Sequence, residues 1–596
     1  MVLVALNAKY VHTNLALRYV RAGIRAEFPD VLLKEFTINE SVARIAAEIF
    51  ETEADVIGFS CYIWNITETL ALIRRLRPVC TGARFVVGGP EVSFEADRLL
   101  HEHREIDAVV PGEGEISFLR LLEAWRDGRD PDKIPGLVWR REDQIIINPG
   151  LPQPVKLERL PAPYQEQENL AERIAYVETS RGCPFNCQYC LSSTFTGVRY
   201  LEPERFREIF RRIMACGSRT IKFVDRTFNA DKQHAFRVLD IVREEAGGLP
   251  DSGVRVHCEM AGDLLDDEWL TYLKSYPAGL IQLEIGVQST HRPTLELVRR
   301  PQHFGRWQKY VIEIVRLGIH LHLDLIAGLP AEDWAAARIS FNDVYAAGPD
   351  MLQLGFLKVL KGCGLRQRAE EYGLAYSPDP PYTVLSTNCL SHPELLRLFR
   401  LETVLDKYYN SGKFRYCLTR MVSLFAGPFE FYDTLAGYWQ ERGWFRQSYH
   451  GKALFDRLWD FVQDTGTNWG SEEKEILRDA LRFDFYLWER PGQVPGFLET
   501  DPGLTMEQIA RVRYDPLWAG IIPEYAGMDK RQWARRTAVA YFPTGLAGPD
   551  DEAAGGTDKA PAYYLFVYGD QPQAYRYRGS VRDARCSSEC LPSEFR

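Results

Sequence analysis

The chain has 596 residues, of which 45% are hydrophobic and 26% charged, so it is long enough for about three or four globular domains. Its net charge of −10 argues against a general nucleic-acid-binding surface, and its 12 cysteines do not suggest a disulfide framework in so long a chain. The start, Met1–Asn7, lacks the basic segment of a signal peptide, and no apolar run is long enough to span a membrane. We therefore expect a cytoplasmic protein.

Residues 1–135 alternate apolar strands with helical stretches such as Asn14–Phe28 and Val42–Glu51. This alternation is typical of a parallel sheet that is covered by helices on both faces. We therefore predict a doubly wound, Rossmann-like α/β domain. Its predicted strands are Val2–Asn7, Val31–Ile38, Asp55–Tyr62, Arg84–Gly89 and Asp107–Pro111.

The carboxyl ends of these strands carry glycines and polar residues. Ligands of open parallel sheets bind beyond this edge, and glycine lets the backbone approach a flat or bulky ligand closely. There is no G-x-G-x-x-G turn, so a nicotinamide or flavin cofactor has little support. The candidate ligand-binding residues at this edge are Asn7, Tyr10, Ser60, Asn65, Gly88, Gly89, Pro90, Glu91, Gly112 and Glu113.

Residues 136–169 are predicted to form a linker, because Pro152–Pro163 is rich in proline. Residues 170–390 then repeat six strand–helix units, with helices such as Glu202–Ala215, Lys232–Glu245 and Arg306–Leu317. This pattern predicts a partial, TIM-like (β/α)6 barrel, in which chemistry takes place at the carboxyl ends of the strands. The predicted strands are Ile174–Thr179, Thr220–Asp225, Val254–Glu259, Gly279–Gly286, His320–Ile326 and Met351–Leu357.

Three cysteines, Cys183, Cys187 and Cys190, follow the first of these strands with C-x3-C-x2-C spacing. Iron–sulfur clusters normally take four cysteine ligands, so three thiolates would hold a [4Fe–4S] cluster and leave one iron open to a small molecule. A zinc knuckle or a structural cluster is the alternative, but each needs a fourth ligand. No other cysteine lies within twenty residues of the three.

Polar residues also stand at the later strand ends of this predicted barrel. A single acidic residue there can simply cap the next helix, but several around one cluster indicate a ligand site. Tyr189, between the second and third cysteines, either packs in the core or stacks near an adenine, and Cys363 either lines the site or serves a turn. The strand-end candidates are Asp225, Asn229, Glu259, Glu284, Gln288, Ser289, Asp324 and Gly328–Pro330.

Residues 391–596 are predicted to be mainly helical, with Pro393–Tyr409 and Glu472–Leu487 as the clearest amphipathic segments. Ala562–Tyr568 and Gln573–Tyr577 predict a hairpin, and residues 545–560 a loop. Tryptophans such as Trp439 either fill a core or stack a substrate. Cys586 and Cys590 are either a redox pair or incidental residues of a frayed tail.

The sequence CPFNCQYC after ETSRGC, followed by E-x-G-x-Q-S and D-x-I-x-G-L-P, resembles the radical S-adenosylmethionine superfamily over residues 170–390. Upstream, the GGPE and PGEGE turns resemble the cobalamin-binding domain that precedes such cores. The resemblance implies that the cysteine cluster binds S-adenosylmethionine and cleaves it to a 5′-deoxyadenosyl radical. Asp225, Asn229, Glu284 and Gln288 are the implied contacts to its amino and ribose groups, although VDRTFN replaces the usual G-G-E motif.

The cobalt-ligating D-x-H-x-x-G motif of many cobalamin domains is absent, and His12 is the only histidine near the first strand end. The resemblance thus implies base-off cobalamin without a histidine ligand, and His12 is interpreted as a helix-entry or ligand-edge residue. It further implies an external electron donor of flavodoxin or ferredoxin type and a small-molecule or peptide substrate, which the sequence does not identify.

The leading hypothesis is C-methylation of an unactivated carbon through the 5′-deoxyadenosyl radical and methylcobalamin. The alternative is a cobalamin-assisted radical rearrangement, cyclisation or oxidation without methyl transfer. A sensor without turnover has no need for an open iron. Methylthiotransfer is disfavoured because that family carries three further cysteines upstream, where this chain has only Cys61 and Cys80.

Overall fold

The computed structural model of the protein describes residues 1–151, 154–165, 168–194, 197–247, 253–277, 279–490, 495–498, 504–544, 561–569 and 572–577. The chain divides into two compact units, Met1–Leu396 and Arg397–Arg596, which are described separately below.

The first unit begins with the predicted doubly wound sheet. Strands β1 to β5 are parallel, and a further pair, β6 and β7, adds antiparallel at one edge, giving the order β2-β1-β3-β4-β5-β6-β7. The strands are β1 Val2–Asn7, β2 Leu32–Thr37, β3 Val56–Ser60, β4 Arg84–Gly88, β5 Ala108–Val110, β6 Val138–Arg141 and β7 Gln144–Ile147. The helices are α1 Leu15–Ile24, α2 Val42–Phe50, α3 Ile66–Leu76, α4 Ala96–Glu102 and α5 Gly114–Arg126.

Two apolar layers explain why this sheet forms. All six residues of β1 are buried, and alternate side chains enter opposite layers: Val2 and Val4 pack on one face, and Leu3 and Ala5 on the other. At the end of β4, Gly89 has a φ of 110°, and a Cβ there would meet the Cys61 carbonyl oxygen at 2.6 Å. Only glycine therefore fits this turn.

The β6–β7 hairpin corrects the linker prediction. We predicted a linker from residue 136, but β6 pairs with β5 and β7 pairs with β6, so this hairpin extends the sheet. The strands VWRR and QIII are too short to show a clear alternation of apolar and polar residues. Glu142, which lies between them, takes the left-handed conformation of a tight turn. Trp139 is buried and its indole N–H donates to Asn148 Oδ1 at 3.1 Å, which holds the hairpin in place.

The predicted partial barrel is also present in the first unit. Six parallel strands follow the order β15-β14-β13-β12-β11-β8, and two small antiparallel pairs, β9–β10 and β16–β17, lie outside it. The strands are β8 Ile174–Val177, β9 Ser180–Gly182, β10 Val198–Tyr200, β11 Thr220–Phe223, β12 Arg255–Met260, β13 Ile281–Gln288, β14 His320–Ala327, β15 Met351–Phe356, β16 Ala375–Tyr376 and β17 Val384–Ser386. The helices are α6 Pro203–Ala215, α7 Lys232–Glu245, α8 Asp267–Lys274, α9 Arg292–Leu297, α10 Phe304–Arg316, α11 Trp334–Ala346 and α12 Gly364–Gln367.

The inner face of this barrel is polar. Along β13 and β14 every second residue is an apolar side chain that is buried, whereas the alternate positions are partly buried and mostly polar. Glu284 and Gln288 on β13 and His322 and Asp324 on β14 belong to this polar set. The sheet therefore keeps its apolar face for the helices and directs titratable groups inwards.

The second unit is mainly helical, as predicted, but it also contains a small antiparallel sheet. Strands β18, β19 and β20 pair in that order, and β18 is a strand that we did not predict. Trp439 is fully buried, in agreement with a core role, whereas residues 545–560, Cys586 and Cys590 lie outside the described residues. The helices from the end of the first unit onward are α13 His392–Tyr408, α14 Arg415–Val422, α15 Pro428–Glu441, α16 Ala453–Thr465, α17 Ser471–Trp488, α18 Met506–Arg513 and α19 Lys530–Arg536, and the strands are β18 Thr537–Phe542, β19 Ala562–Val567 and β20 Gln573–Tyr577.

Among the described residues, no helix combines the length and the apolar character that a membrane crossing requires.

Candidate active site

The three cysteines line one cavity at the carboxyl ends of the barrel strands. Cys187 is buried, and Cys183 and Cys190 are half-buried; all three are free thiols. Cys183 Sγ lies 3.3 Å from the Thr227 hydroxyl, which stands at the end of the neighbouring strand. The loop after β9 thus presents three thiols to one space, which is the donor set that a [4Fe–4S] cluster with an open iron requires.

Arg300 is a cation beside these thiols that the sequence analysis missed. Its Nη1 donates to the Tyr189 hydroxyl at 3.1 Å and points at Cys187 Sγ at 3.6 Å, while Nη2 donates to the Gly286 carbonyl at 2.5 Å. Burial raises the pKa of the Cys187 thiol, and the positive charge of Arg300 opposes that shift. Arg300 follows α9 in the chain, and the residues around it form no recognisable motif. Its position beside the cysteines is therefore visible only in the folded structure.

Four of the predicted contacts line the same cavity: Tyr189, Glu284, Gln288 and Asp324. Gln288 has a φ of 66° and sits at a register shift between β13 and β14. Gln288 Oε1 and Asp324 Oδ1 are buried acceptors without a hydrogen-bond partner. Because a buried acceptor costs free energy unless it is paired, these two atoms favour a ligand with donor groups in the cavity.

Glu284 and Asp324 are neighbours whose pKa values shift in opposite directions. Burial and the neighbouring Glu284 carboxylate raise the pKa of Asp324 well above its usual range. Burial alone would raise the pKa of Glu284 as well, but the adjacent His257 lowers it overall. One ionised and one protonated carboxyl group can share a hydrogen bond, so the cavity floor offers both an acceptor and a donor.

Asp225 and Asn229 do not line the cavity, contrary to the prediction. The Asp225 carboxylate accepts from the Thr179 N–H at 2.9 Å and from the Thr179 and Ser180 hydroxyls at 2.6 Å. Burial raises the pKa of Asp225 to about 6. Asn229 exchanges two hydrogen bonds with the Ala261 backbone. Both residues hold adjacent strand ends together, and the cavity is lined instead by Arg226, Thr227 and Glu259.

Two other strand-end candidates are also turned away from the cavity. Ser289 is fully buried, and its hydroxyl donates to Glu332 Oε1 at 2.5 Å. Cys363 is fully buried as well, burial raises the pKa of its thiol, and the residue stands directly before α12 in the turn after β15. Gly328 at the end of β14 has a φ of 85° and leaves room for the Val384 side chain.

The predicted ligand edge of the first sheet is built from polar side chains that are already paired. Asn65 is fully buried and donates to the Leu6 and Ser60 carbonyls, both at 3.0 Å. Asn7 donates to the His12 carbonyl at 3.0 Å. The Ser60 hydroxyl accepts from Asn14 at 3.0 Å. These side chains therefore shape the edge through contacts within the protein.

Partly exposed aromatic rings also lie at this edge, where the Arg173 guanidinium covers the Tyr10 ring at 4.7 Å and Phe94 packs against Gly362. Tyr10 follows β1, Trp64 follows β3 and Phe94 follows β4, with exposed fractions of 65%, 45% and 39%. Trp64 stacks on Tyr62 with ring centroids 4.3 Å apart. Large exposed aromatics on one edge of a parallel sheet are typical of a site for a flat, partly apolar ligand. Trp64 and Phe94 were not predicted, because single aromatics in a loop give no periodic signal.

The two glutamates of the glycine turns pair with the barrel. Glu91 accepts from the Tyr382 hydroxyl and lies 3.0 Å from Lys361 Nζ, both in the segment after β15. Glu113 pairs with Arg199, and its Oε2 lies 3.4 Å from Arg181 Nη1. We predicted both as ligand contacts, but their carboxylates connect the two sheets of the first unit. Gly88, Gly89, Pro90 and Gly112 lie at the predicted ligand edge, at or just beyond the ends of β4 and β5.

His12 also faces the barrel. Its Nδ1 lies 2.7 Å from the Tyr176 hydroxyl, and its backbone bridges to Ile174 at the start of β8. Burial lowers the pKa of His12, so it is neutral at pH 7. The side chain is therefore occupied at the contact between the two sheets, which agrees with its interpretation as an edge residue.

Replacing Arg300 with Met is expected to slow cluster-dependent chemistry by about 10- to 100-fold, because a charge-assisted hydrogen bond contributes about 1.5–3 kcal/mol. Iron content should be kept, since the three cysteines remain. The measurement is the cluster reduction potential together with the rate of 5′-deoxyadenosine release, and the potential should become more negative. Arg299→Met is the control, because Arg299 is the exposed neighbour in the chain. An unchanged potential in Arg300→Met would contradict the assigned role.

Family models match three segments of the chain. The B12 binding domain matches residues 1–122, the Radical SAM superfamily matches residues 177–341, and a family described as Protein of unknown function (DUF4080) matches residues 370–566. The first two matches coincide with the sheet that carries the aromatic edge and with the barrel that carries the cysteines.

Curated relatives match part of the chain. The cobalamin-dependent radical SAM methyltransferase TokK of Streptomyces tokunonensis is 25% identical over 65% of this chain and 62% of that protein. The hopanoid C-3 methylase of Methylococcus capsulatus is 29% identical over 54% of this chain and 62% of that protein. The chain thus spans about three-fifths of the length of each. Not every relative is named for methyl transfer, since an anaerobic magnesium-protoporphyrin IX monomethyl ester cyclase is among them.

The fold is similar to that of the cobalamin-dependent S-adenosylmethionine radical enzyme OxsB with aqua-cobalamin and S-adenosylmethionine bound. The TM-score is 0.54 at 15% identity, over 81% of this chain and 78% of that one. At this identity the likeness concerns the fold alone.

Proposed function

We propose that this chain, which joins a B12-binding domain to a radical SAM domain, is a cobalamin-dependent radical SAM methyltransferase that acts on an unactivated carbon. The observation that carries the proposal is the pairing of two sites within one compact unit. A cavity with three free cysteines and an exposed aromatic edge belong to sheets that buried ion pairs hold together. The names of the curated relatives TokK and hopanoid C-3 methylase support methyl transfer as the outcome.

The residues present fit the groups that such chemistry needs. Cys183, Cys187 and Cys190 would hold the cluster, and Arg300 would stabilise it. Buried acceptors at Gln288 and Asp324, with Tyr189 and Glu284, would receive the donor groups of S-adenosylmethionine. When bound, the cluster supplies one electron, S-adenosylmethionine supplies both the adenosyl radical and the methyl group, and cobalamin carries the methyl group. The protein's own part is to place these groups and to keep water out of the cavity.

Cobalamin would bind at the aromatic edge, base-off and without a histidine ligand. His12 is occupied by Tyr176, and the other histidines of residues 1–135, His101 and His103, belong to the C-terminal end of α4. That end lies away from the strand ends, because α4 starts at the carboxyl edge of the sheet and runs back along it. The backbone turns at Gly88–Pro90 and Gly112 would face the ligand.

The division into residues 1–135, 170–390 and 391–596 remains part of this proposal, with the change that residues 138–147 complete the first sheet. We further propose an external one-electron donor of flavodoxin or ferredoxin type, because the chemistry consumes electrons that the chain does not supply. An exposed cluster also requires a reducing compartment such as the cytoplasm. The substrate is a small molecule or a peptide.

The test is an anaerobic assay of the protein with reconstituted cluster, cobalamin, a reductant and methyl-labelled S-adenosylmethionine. We expect three products: 5′-deoxyadenosine, labelled methylcobalamin and S-adenosylhomocysteine. Formation of 5′-deoxyadenosine without any labelled methylcobalamin would contradict methyl transfer and favour a radical rearrangement, cyclisation or oxidation. Absence of both 5′-deoxyadenosine and labelled methylcobalamin would favour a sensor without turnover.

A further inference from the structure

The lower part of the barrel interior contains a second cluster of metal-ligand side chains, beneath the cysteine cavity. His257 on β12, Glu284 on β13 and His322 on β14 come from three adjacent parallel strands, and Glu284 is directly opposite His322 in the register. One ligand atom of each lies within 4.8 Å of the other two. Of these three residues, only Glu284 has a role in the radical chemistry proposed above, and none of them is a ligand of the cysteine cluster.

The contact between His257 and Glu284 is close, but it is not aligned as a hydrogen bond. His257 Nε2 is 3.0 Å from Glu284 Oε2, yet it has no hydrogen-bond partner, and the residue is only 5% exposed. If Nε2 carries the proton, its N–H lacks an aligned acceptor; if it does not, its lone pair faces a carboxylate oxygen. Either state of a neutral imidazole leaves a buried polar atom unsatisfied. A metal ion would accept both lone pairs.

The separations suit a metal ion. Nitrogen and oxygen ligands at about 2.0–2.2 Å from an ion lie roughly 3–3.5 Å from each other, which is close to the 3.0 Å between His257 and Glu284. The two ligand atoms that lie farthest apart would have to approach each other by roughly 1 Å, and rotation of an imidazole ring is sufficient for this shift. Two imidazoles and one carboxylate form a ligand set for divalent transition ions such as Zn²⁺ or Fe²⁺.

Surrounding residues complete the site. His322 Nε2 lies 2.9 Å from His320 Nε2, so His320 fixes the orientation of the His322 ring, as partners of metal-bound histidines commonly do. The His320 side chain is 41% exposed and lies 3.8 Å from Asp350, so this end of the barrel interior reaches solvent and gives an ion a path of entry. On the other side, Glu284 reaches the cysteine cavity.

We propose that His257, Glu284 and His322 bind one divalent transition metal ion in the barrel interior. Because Glu284 lies between this ion and the cavity, the ion would fix the carboxylate that forms part of the cavity floor. The site does not depend on methyl transfer, and it can be tested without turnover.

The first test uses the full chain, purified without metal-affinity resin and reconstituted with iron. After dialysis against Zn²⁺ and then metal-free buffer, elemental analysis should find one zinc per chain in addition to the cluster iron. His257→Gln and His322→Gln should each bind zinc more than about 100-fold more weakly, since even partners of ligands are worth about 10- to 100-fold. His234→Gln is the matched control, because His234 Nε2 is also buried without a partner but belongs to α7. Retention of cluster absorbance verifies that each variant is folded.

A second test removes the competing thiols. The full chain with Cys183, Cys187 and Cys190 replaced by Ala should bind one Co²⁺, with a visible spectrum that lacks thiolate bands, and Zn²⁺ should displace it. Adding Glu284→Gln, which preserves side-chain shape, should abolish the spectrum. Zinc that is retained equally in His257→Gln and wild type, or that disappears with the cysteines, would overturn the proposal, as would the absence of zinc from wild type.

Discussion

The Cys187→Ala variant is expected to release no 5′-deoxyadenosine above background while it still binds cobalamin. Cys187 is the most buried of the three cluster cysteines and the one that Arg300 approaches. Two thiolates cannot hold a four-iron cluster against loss of iron, so the electron source disappears. Cobalamin should remain, because the aromatic edge belongs to the first sheet, which is built from residues 2–147.

The measurement combines iron content, cobalamin absorbance after gel filtration and quantification of 5′-deoxyadenosine. Cys258→Ala is the matched control: Cys258 is also fully buried, but it lies on the apolar face of β12 and should leave all three readouts close to wild type. Loss of cobalamin together with iron would show that the two sites do not belong to separable domains. Normal 5′-deoxyadenosine release would contradict the assignment of the cysteines.

Local patterns predicted most of the strands. The alternation of short apolar runs with helical spacing predicted β1 to β5 and all six strands of the barrel with end positions that differ by only a few residues. The cysteine spacing predicted the loop that carries them. Each of these signals lies within a few consecutive residues, so a single sequence is sufficient to detect it.

The direction of a polar side chain at a strand end could not be predicted in the same way. Asp225 follows β11 and accepts from the Thr179 backbone N–H just beyond β8, whereas Glu284 lies within β13 and faces the cavity. The difference depends on which strand lies beside each residue and in what register, and that information is distributed over the whole sheet. The same reason explains why Arg300 was missed and why Glu91 and Glu113 were assigned to a ligand instead of to the barrel.

The second large effect concerns Arg181, the cation that joins the first sheet to the barrel. Its guanidinium lies 2.5 Å from Glu115, 2.7 Å from Glu178 and 3.4 Å from Glu113. Glu115 and Glu178 are 7% and 8% exposed, so these charges are largely shielded from water. Arg181→Met should lower the free energy of unfolding by about 3–5 kcal/mol, because it leaves buried carboxylates without a cation.

The loss should depend on pH in a defined direction. Burial already raises the pKa of Glu178 in the presence of Arg181, and without the cation the repulsion from Glu115 and Glu113 is no longer balanced. The folded variant would then bind protons that the unfolded chain releases, so its stability falls as pH rises above the usual glutamate range. The difference from wild type should therefore be larger at pH 8 than near pH 5, as measured by denaturant unfolding at both pH values.

Three comparisons make this prediction specific to the buried network. Arg98→Met removes an exposed arginine that is 2.8 Å from Glu102, and it should leave stability unchanged because exposed pairs contribute little. The double variant Arg181→Met/Glu178→Gln should be more stable than Arg181→Met alone, because one unpaired carboxylate has been neutralised. Cobalamin retention should fall in Arg181→Met, since Glu113 and Glu115 form the turn at the ligand edge. A pH-independent loss, with no recovery in the double variant, would mean that Arg181 acts by packing, for example against the Tyr19 ring at 5.6 Å, and not by joining charges.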